Sequence, residues 1–200
     1  MIDILSHANE RQNKFLHKKT KRVENRDLTN PDFIICMQTM EQVCSYPGVA
    51  GVAANQLGYT YRMFALATGE GRPAFFMINP KILEVNDELK VEGEGCLSVV
   101  GFGGFLGRYT GGKVRWQDKN LKFYEDAFKG FWFRAIQHEI DHVDGILYCD
   151  KIGAQGGELF TEEEMRAKWE AEHGDLSADE LLAAAESNSK SALDNLKVAE

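Results

Sequence analysis

Apolar side chains recur at helical spacing between residues 33 and 44, where Phe33, Ile34, Met37, Met40, Val43 and Cys44 form one stripe. Asn30-Pro31 opens that helix, with Asn as N-cap and Pro at the first helical position, and Tyr46-Pro47-Gly48 closes it. Residues 62–68, 74–78 and 81–85 are short apolar runs of strand length, separated by a turn over 69–73 and an interruption at Asn79-Pro80. Residues 113–118 and 121–126 predict a hairpin around Lys119-Asn120. Six glycines between 99 and 112 predict a mobile or sharply turning loop. Residues 130–143 predict a helix with Phe131, Ala135, His138 and His142 along one face.

The two ends of the chain are less regular. Residues 1–29 are polar, with a short strand expected near Val23. The pattern changes after Ile152, so we expect one domain over 1–152 and a helical extension over 153–200. Residues 153–157 are linker-like, and Thr161 with Glu164 forms a capping box for a helix running to His173-Gly174. Ser177 and Glu180 repeat that arrangement before an apolar Leu/Ala run, and the last dozen residues are expected to fray.

Composition adds a charge asymmetry. The 200 residues carry a net charge of −8. Residues 158–200 hold twelve acidic and four basic side chains, so the remainder is neutral. Within it, residues 11–26 hold seven basic side chains and one acidic, a stretch able to meet RNA or an acidic surface but better read as a solvated segment, since it has no aromatic-rich nucleic-acid motif. The first thirty residues have no apolar segment of the secretory type, and no run approaches membrane-spanning length. The four cysteines form no C-x-x-C pair, consistent with a soluble protein of a reducing compartment.

The densest chemistry lies in Gln137-His138-Glu139-Ile140-Asp141-His142. Residues four apart on a helix share a face, so both imidazoles can reach one ion, with Glu139 beside them to handle protons. A catalytic metal wants a third protein ligand. Glu158, Glu162, Glu163, Glu164 and His173 are available downstream, and Cys96 lies upstream in a segment of small residues.

Three separated motifs resemble the peptide deformylase family. They are Gly51-Val52-Ala53-Ala54-Asn55-Gln56, Glu94-Gly95-Cys96-Leu97-Ser98, and the 137–142 segment, continued by Gly145-Ile146-Leu147 and Asp150. The resemblance covers roughly residues 15–152 and implies an α+β fold with antiparallel sheets around a central metal-binding helix. It implies hydrolysis of the N-formyl group from a formyl-methionyl peptide, with release of formate. Cys96, His138 and His142 would hold one divalent ion, Fe(II) in function, with Zn, Ni or Co able to substitute. Glu139 would move the proton, and Gln56 and the Leu97 N–H would bind the oxyanion. Gly51 would meet the substrate backbone, and Phe131 and Ala135 would wall the methionine pocket. Arg108 would pair with Glu94 to steady the Cys96 loop, and Asp141 would orient elements near the metal helix.

Three departures stand out. Val49 and Val100 replace a glycine and a proline common in the family, and the spacing between the first two motifs matches the compact subclass. The acidic 158–200 extension would be repelled by RNA. Transient ribosome association therefore follows from the family but is not assigned to that extension. No membrane or specific nucleic-acid partner is expected, and the location implied is the cytoplasm, an organelle matrix or a phage-infected bacterial cytoplasm.

Overall fold

The computed structural model describes residues 2–69 and 71–173. Helices α1 (Glu10–Leu16) and α2 (Pro31–Cys44) precede strands β1 (Gly51–Ala53), β2 (Met63–Leu66) and β3 (Phe75–Val85). Strands β4 (Leu89–Gly95), β5 (Phe102–Tyr109), β6 (Gly111–Gln117) and β7 (Phe123–Lys129) lead into α3 (Gly130–Asp144), followed by α4 (Tyr148–Ala154), β8 (Leu159–Thr161) and α5 (Glu162–His173). The strands form two antiparallel sheets, ordered β1-β2-β3-β6-β7 and β4-β5-β8. Helix α3 touches β1, β2, β6 and β7 of the first sheet and β5 of the second, so it lies where the two sheets meet. This is the expected α+β arrangement.

The elements follow from local chemistry. Asn30 caps α2 by accepting from the Asp32 N–H at 2.9 Å, with Pro31 at the first position. The predicted hairpin around Lys119-Asn120 is β6–β7. The capping box at the start of α5 is present: Glu164 accepts from the Thr161 N–H at 2.8 Å, and the Glu164 N–H donates to Thr161 Oγ1 at 3.3 Å. Apolar burial divides into two clusters. The larger packs α2 and α3 on the five-stranded sheet around Met40, Phe64, Met77 and Phe133, and the smaller gathers Leu16, Leu106, Tyr148 and Ile152 under the other sheet.

Several expectations are corrected. The glycine-rich stretch is not a loop: residues 102–109 are strand β5, paired with β4 from Leu89↔Tyr109 to Gly95↔Gly103. Its glycines answer crowding. A Cβ on Gly103 would lie 3.1 Å from both the Glu94 carbonyl oxygen and Met165 Cγ. Asn79-Pro80 does not divide two strands, because β3 runs through it with a register shift between Ile78 and Lys81. Asn79 takes a left-handed backbone (φ 53°), and its buried side chain bonds both Val23 N–H and Val23 C=O, at 2.8 and 2.9 Å. Val23 is thus tied down by a side-chain amide rather than by the strand expected there. Helix α1, capped by Asn9, lies in the segment read as irregular. Its single buried apolar residue, Leu16, leaves little periodicity to detect. Residues 159–161 rejoin the body as the third strand of the smaller sheet. The second tail helix expected from Ser177 lies outside the described residues.

Candidate active site

Helix α3 brings two imidazoles to one point. It ends at Gly145, which takes a left-handed backbone (φ 77°) and closes the last turn onto the Asp141 and His142 carbonyls. A Cβ there would stand 2.6 Å from the His17 carbonyl oxygen, so glycine serves both the turn and the packing. The His138 and His142 ring centroids are 5.0 Å apart. Cys96 arrives from the opposite side, immediately after β4, with Sγ 3.1 Å from His142 Nε2. One donor atom from each of Cys96, His138 and His142 lies within 4.8 Å of the others. Of the two routes to a third donor, the structure brings Cys96 to the histidines, and no downstream carboxylate among the described residues joins the cluster.

A buried ionic network fixes the Cys96 side. Arg108 donates to both Glu94 oxygens, at 2.6 and 2.8 Å, and to Asp141 at 2.7 Å. Lys151 reaches the other Asp141 oxygen at 2.7 Å. Glu94 also accepts from His138 Nδ1 at 3.0 Å, which turns Nε2 of that ring towards Cys96. Burial alone would raise the Glu94 carboxyl, but hydrogen bonds from His138 and Arg108 hold it well below the usual carboxylate range. Burial would likewise raise the Cys96 thiol. The neighbouring His142 and His138 outweigh it and hold the thiol well below its ordinary value, so the protein groups alone favour the thiolate.

Two groups were absent from the residues expected. Arg134 is buried on α3 and binds Glu94, Glu92, and the Lys90 and Leu106 carbonyls. Its position one turn before His138 was the available signal. Ser98, fully buried, accepts from Gln56 Nε2 at 3.2 Å.

The remaining predicted residues gather around the ligands. Gln56 Oε1 accepts from the Ala53 N–H at 2.8 Å, which leaves its NH₂ directed at Ser98 and, at 3.5 Å, at Cys96 Sγ. Glu139 is 4% exposed, and its Oε2 has no hydrogen-bond partner. Burial pushes its carboxyl up to about 6, against the lowering influence of His138 and His142. A Cβ on Gly51 would stand 2.9 Å from Glu139 Oε1, so the β1 backbone lies directly beside that carboxylate. A cleft of about 750 Å³ opens onto these groups and is also lined by Leu97, Phe131 and Ala135. Ala135 is buried, and Phe131 stands half-exposed at the rim.

A thiolate and two imidazoles, held on a strand end and a helix, fit a first-row divalent cation that keeps one position open. The unpartnered, buried Glu139 Oε2 beside them fits a water or substrate proton as its missing partner.

Comparison with known proteins agrees with this chemistry. The family model described as polypeptide deformylase matches residues 5–157. The peptide deformylase of Thermotoga petrophila is 39% identical over 113 residues, 56% of this chain and 67% of that protein. The one from Halothermothrix orenii is 36% identical over 145 residues, 72% of this chain and 92% of that protein. A crystal structure of peptide deformylase from Thermotoga maritima superposes with a TM-score of 0.65 at 30% identity, covering 76% of this chain and 97% of that one. The chain belongs to the peptide deformylase family, metal-dependent hydrolases that remove the N-formyl group from nascent peptides.

Proposed function

We propose that Cys96, His138 and His142 hold ferrous iron and that Glu139 moves the protons of deformylation. The observation that carries this is the buried Glu139 carboxylate, one oxygen unpartnered, on the same helix turn as two of the three clustered donors. A thiolate with two imidazoles suits zinc or ferrous iron, and the family resemblance favours iron. When bound, such a cation lowers the pKa of a water it holds from 15.7 towards about 7. Glu139 accepts a proton as water adds to the formyl carbon, then delivers it to the departing amine. The Gln56 NH₂, aimed by the Ala53 N–H, and the Leu97 N–H donate to the oxygen that gains negative charge. The main chain at Gly51 lies along the substrate, and Phe131 and Ala135 flank the methionine side chain. Arg108, Glu94 and Asp141 position His138 and the Cys96 loop.

A nascent substrate brings the enzyme to the ribosome transiently and places it in the cytoplasm or an organelle matrix. The acidic residues after 157 oppose RNA contact, so no docking role is assigned to them. Among the described residues, no helix is long and apolar enough to cross a membrane.

The test is formate release from formyl-Met-Ala by protein prepared anaerobically and loaded with Fe(II), Ni(II) or Zn(II). Release by the ferrous form, faster than by the zinc form, is expected. No release by any loaded form would refute the assignment of roles, and equal rates for zinc and iron would remove the case for iron.

A further inference from the structure

The family match ends at residue 157, yet the helix that follows borders the cleft. Glu162, Met165 and Arg166 all line it, and their spacing of three and four places them on one face of α5. Met165 is in closest contact with the strands. Its Cε lies 3.0 Å from where a Cβ on Gly93 would stand, and its Cγ lies 3.1 Å from the same position on Gly103. These two glycines share a face of the β4–β5 pair, since Gly103 is opposite Gly95 and Gly93 is two residues before it. A Cβ at either position would crowd Met165, and both positions are bare glycine where this helix lies against the sheet.

The helix is anchored there. Strand β8 hydrogen-bonds to β5 through Phe102↔Thr161 and Gly104↔Leu159, Phe160 packs edge-on against Phe105, and the capping box joins β8 to α5. Between Cys96 and α5 the cleft wall carries Leu97, Val100 and Phe102, all exposed. Exposed apolar side chains clustered around a cleft mark a surface that an apolar ligand covers. A strand advances about 3.3 Å per residue, which sets Gly93 about 10 Å along β4 from Cys96. Met165 spans from that point to Gly103, which pairs with Gly95 next to Cys96, so its contacts serve parts of the peptide that extend from the ligand cluster along β4.

We infer that Met165 is a specificity-determining residue which, with Leu97, Val100 and Phe102, receives apolar side chains that follow formyl-methionine in the substrate. The occupant is the substrate peptide because this surface is continuous with the cleft that holds Cys96 and Glu139. The inference rests on the deformylase assignment above and adds a preference to it.

The test measures formate release by the full chain, in its ferrous form, from formyl-Met-Ala, formyl-Met-Ala-Leu-Leu and formyl-Met-Ala-Ser-Ser. The wild type is expected to prefer the Leu-Leu peptide over the Ser-Ser peptide. Met165→Ala should reduce that preference by about threefold to tenfold, the size of one lost apolar contact, through KM with kcat unchanged. Met165→Leu should restore it. Should the alanine variant not fold, Met165→Gln, which keeps the length and loses the apolarity, reads the same ratio. Equal losses on all three substrates would make Met165 a structural wall only and overturn the inference, as would a wild type without preference. A wild type inactive on every substrate would instead fail the deformylase assignment, and this inference with it.

Discussion

Helix α3 and the arm formed by β4 and Cys96 bring donor groups to the same point, but they are held in opposite ways. The helix carries His138 and His142 on its own backbone geometry, with the larger apolar core behind it. The arm has no such internal frame. Cys96 lies just beyond the last strand residue, and its neighbour Glu94 is held by Arg108, Arg134 and His138, charges drawn from β5 and α3. One half of the site is therefore positioned by local hydrogen bonding and the other by long-range electrostatics. The second kind is more easily weakened, because removing one member leaves its buried partners short of counter-charge.

The largest expected effect tests whether the arm is indispensable. Cys96→Ala should abolish both metal binding and turnover, read as metal content per chain and formate release. A variant that still binds metal tightly would mean the helix alone holds the ion. On the helix side, Glu139→Gln should keep the metal and lose about a hundred- to ten-thousandfold in rate.

Glu139→Gln also carries a sign that distinguishes function from support. A carboxyl raised from 4.5 to about 6 binds more protons folded than unfolded, so the native state loses stability as pH rises through that window. Removing the charge should therefore stabilise metal-free protein at neutral pH by about 2 kcal/mol in urea melts. A destabilised Gln variant would contradict the burial argument. On the proposed roles catalysis runs the other way, because Glu139 would act unprotonated: kcat/KM of the loaded enzyme should fall with falling pH, at a pH below about 6, since a bound cation favours the carboxylate.

Arg108→Met tests the electrostatic hold directly. It leaves Glu94 to Arg134 and His138 and Asp141 to Lys151, and we expect a loss of about 3 kcal/mol in stability, with about tenfold to hundredfold weaker metal binding. Unchanged metal affinity would show that the arm is held by packing instead. The smallest effect lies furthest from the ligands: Thr161→Ala removes the cap of α5 and should cost about 1 kcal/mol in thermal or urea melts, with little change in turnover of formyl-Met-Ala.

The difference between the two halves also explains what could be seen in advance. The shared face of His138 and His142, the Asn30 cap and the Thr161–Glu164 box are legible because each depends on residues within one or two turns. Strand β5 is disguised in the sequence because glycines signal loops by default, while here they admit Met165 and neighbouring backbone that come from distant parts of the chain. Arg134 is harder to read, because its place one turn before His138 puts it near the site but does not distinguish a buried arginine from a solvated one. Its burial depends on Glu92, Glu94 and two carbonyls of β4 and β5.

By itself, the sequence determined the order of the parts: three motifs, their donor types, and a helix able to present two imidazoles and a carboxylate. Helical periodicity is enough for that, since it acts over four residues. Only the tertiary structure decided that Cys96 rather than a downstream carboxylate joins the two histidines, that Glu139 is buried with Oε2 unpartnered, and that α5 reaches the cleft. Those outcomes depend on burial and on contacts between segments far apart in the chain, and spacing along a single strand or helix carries no record of them.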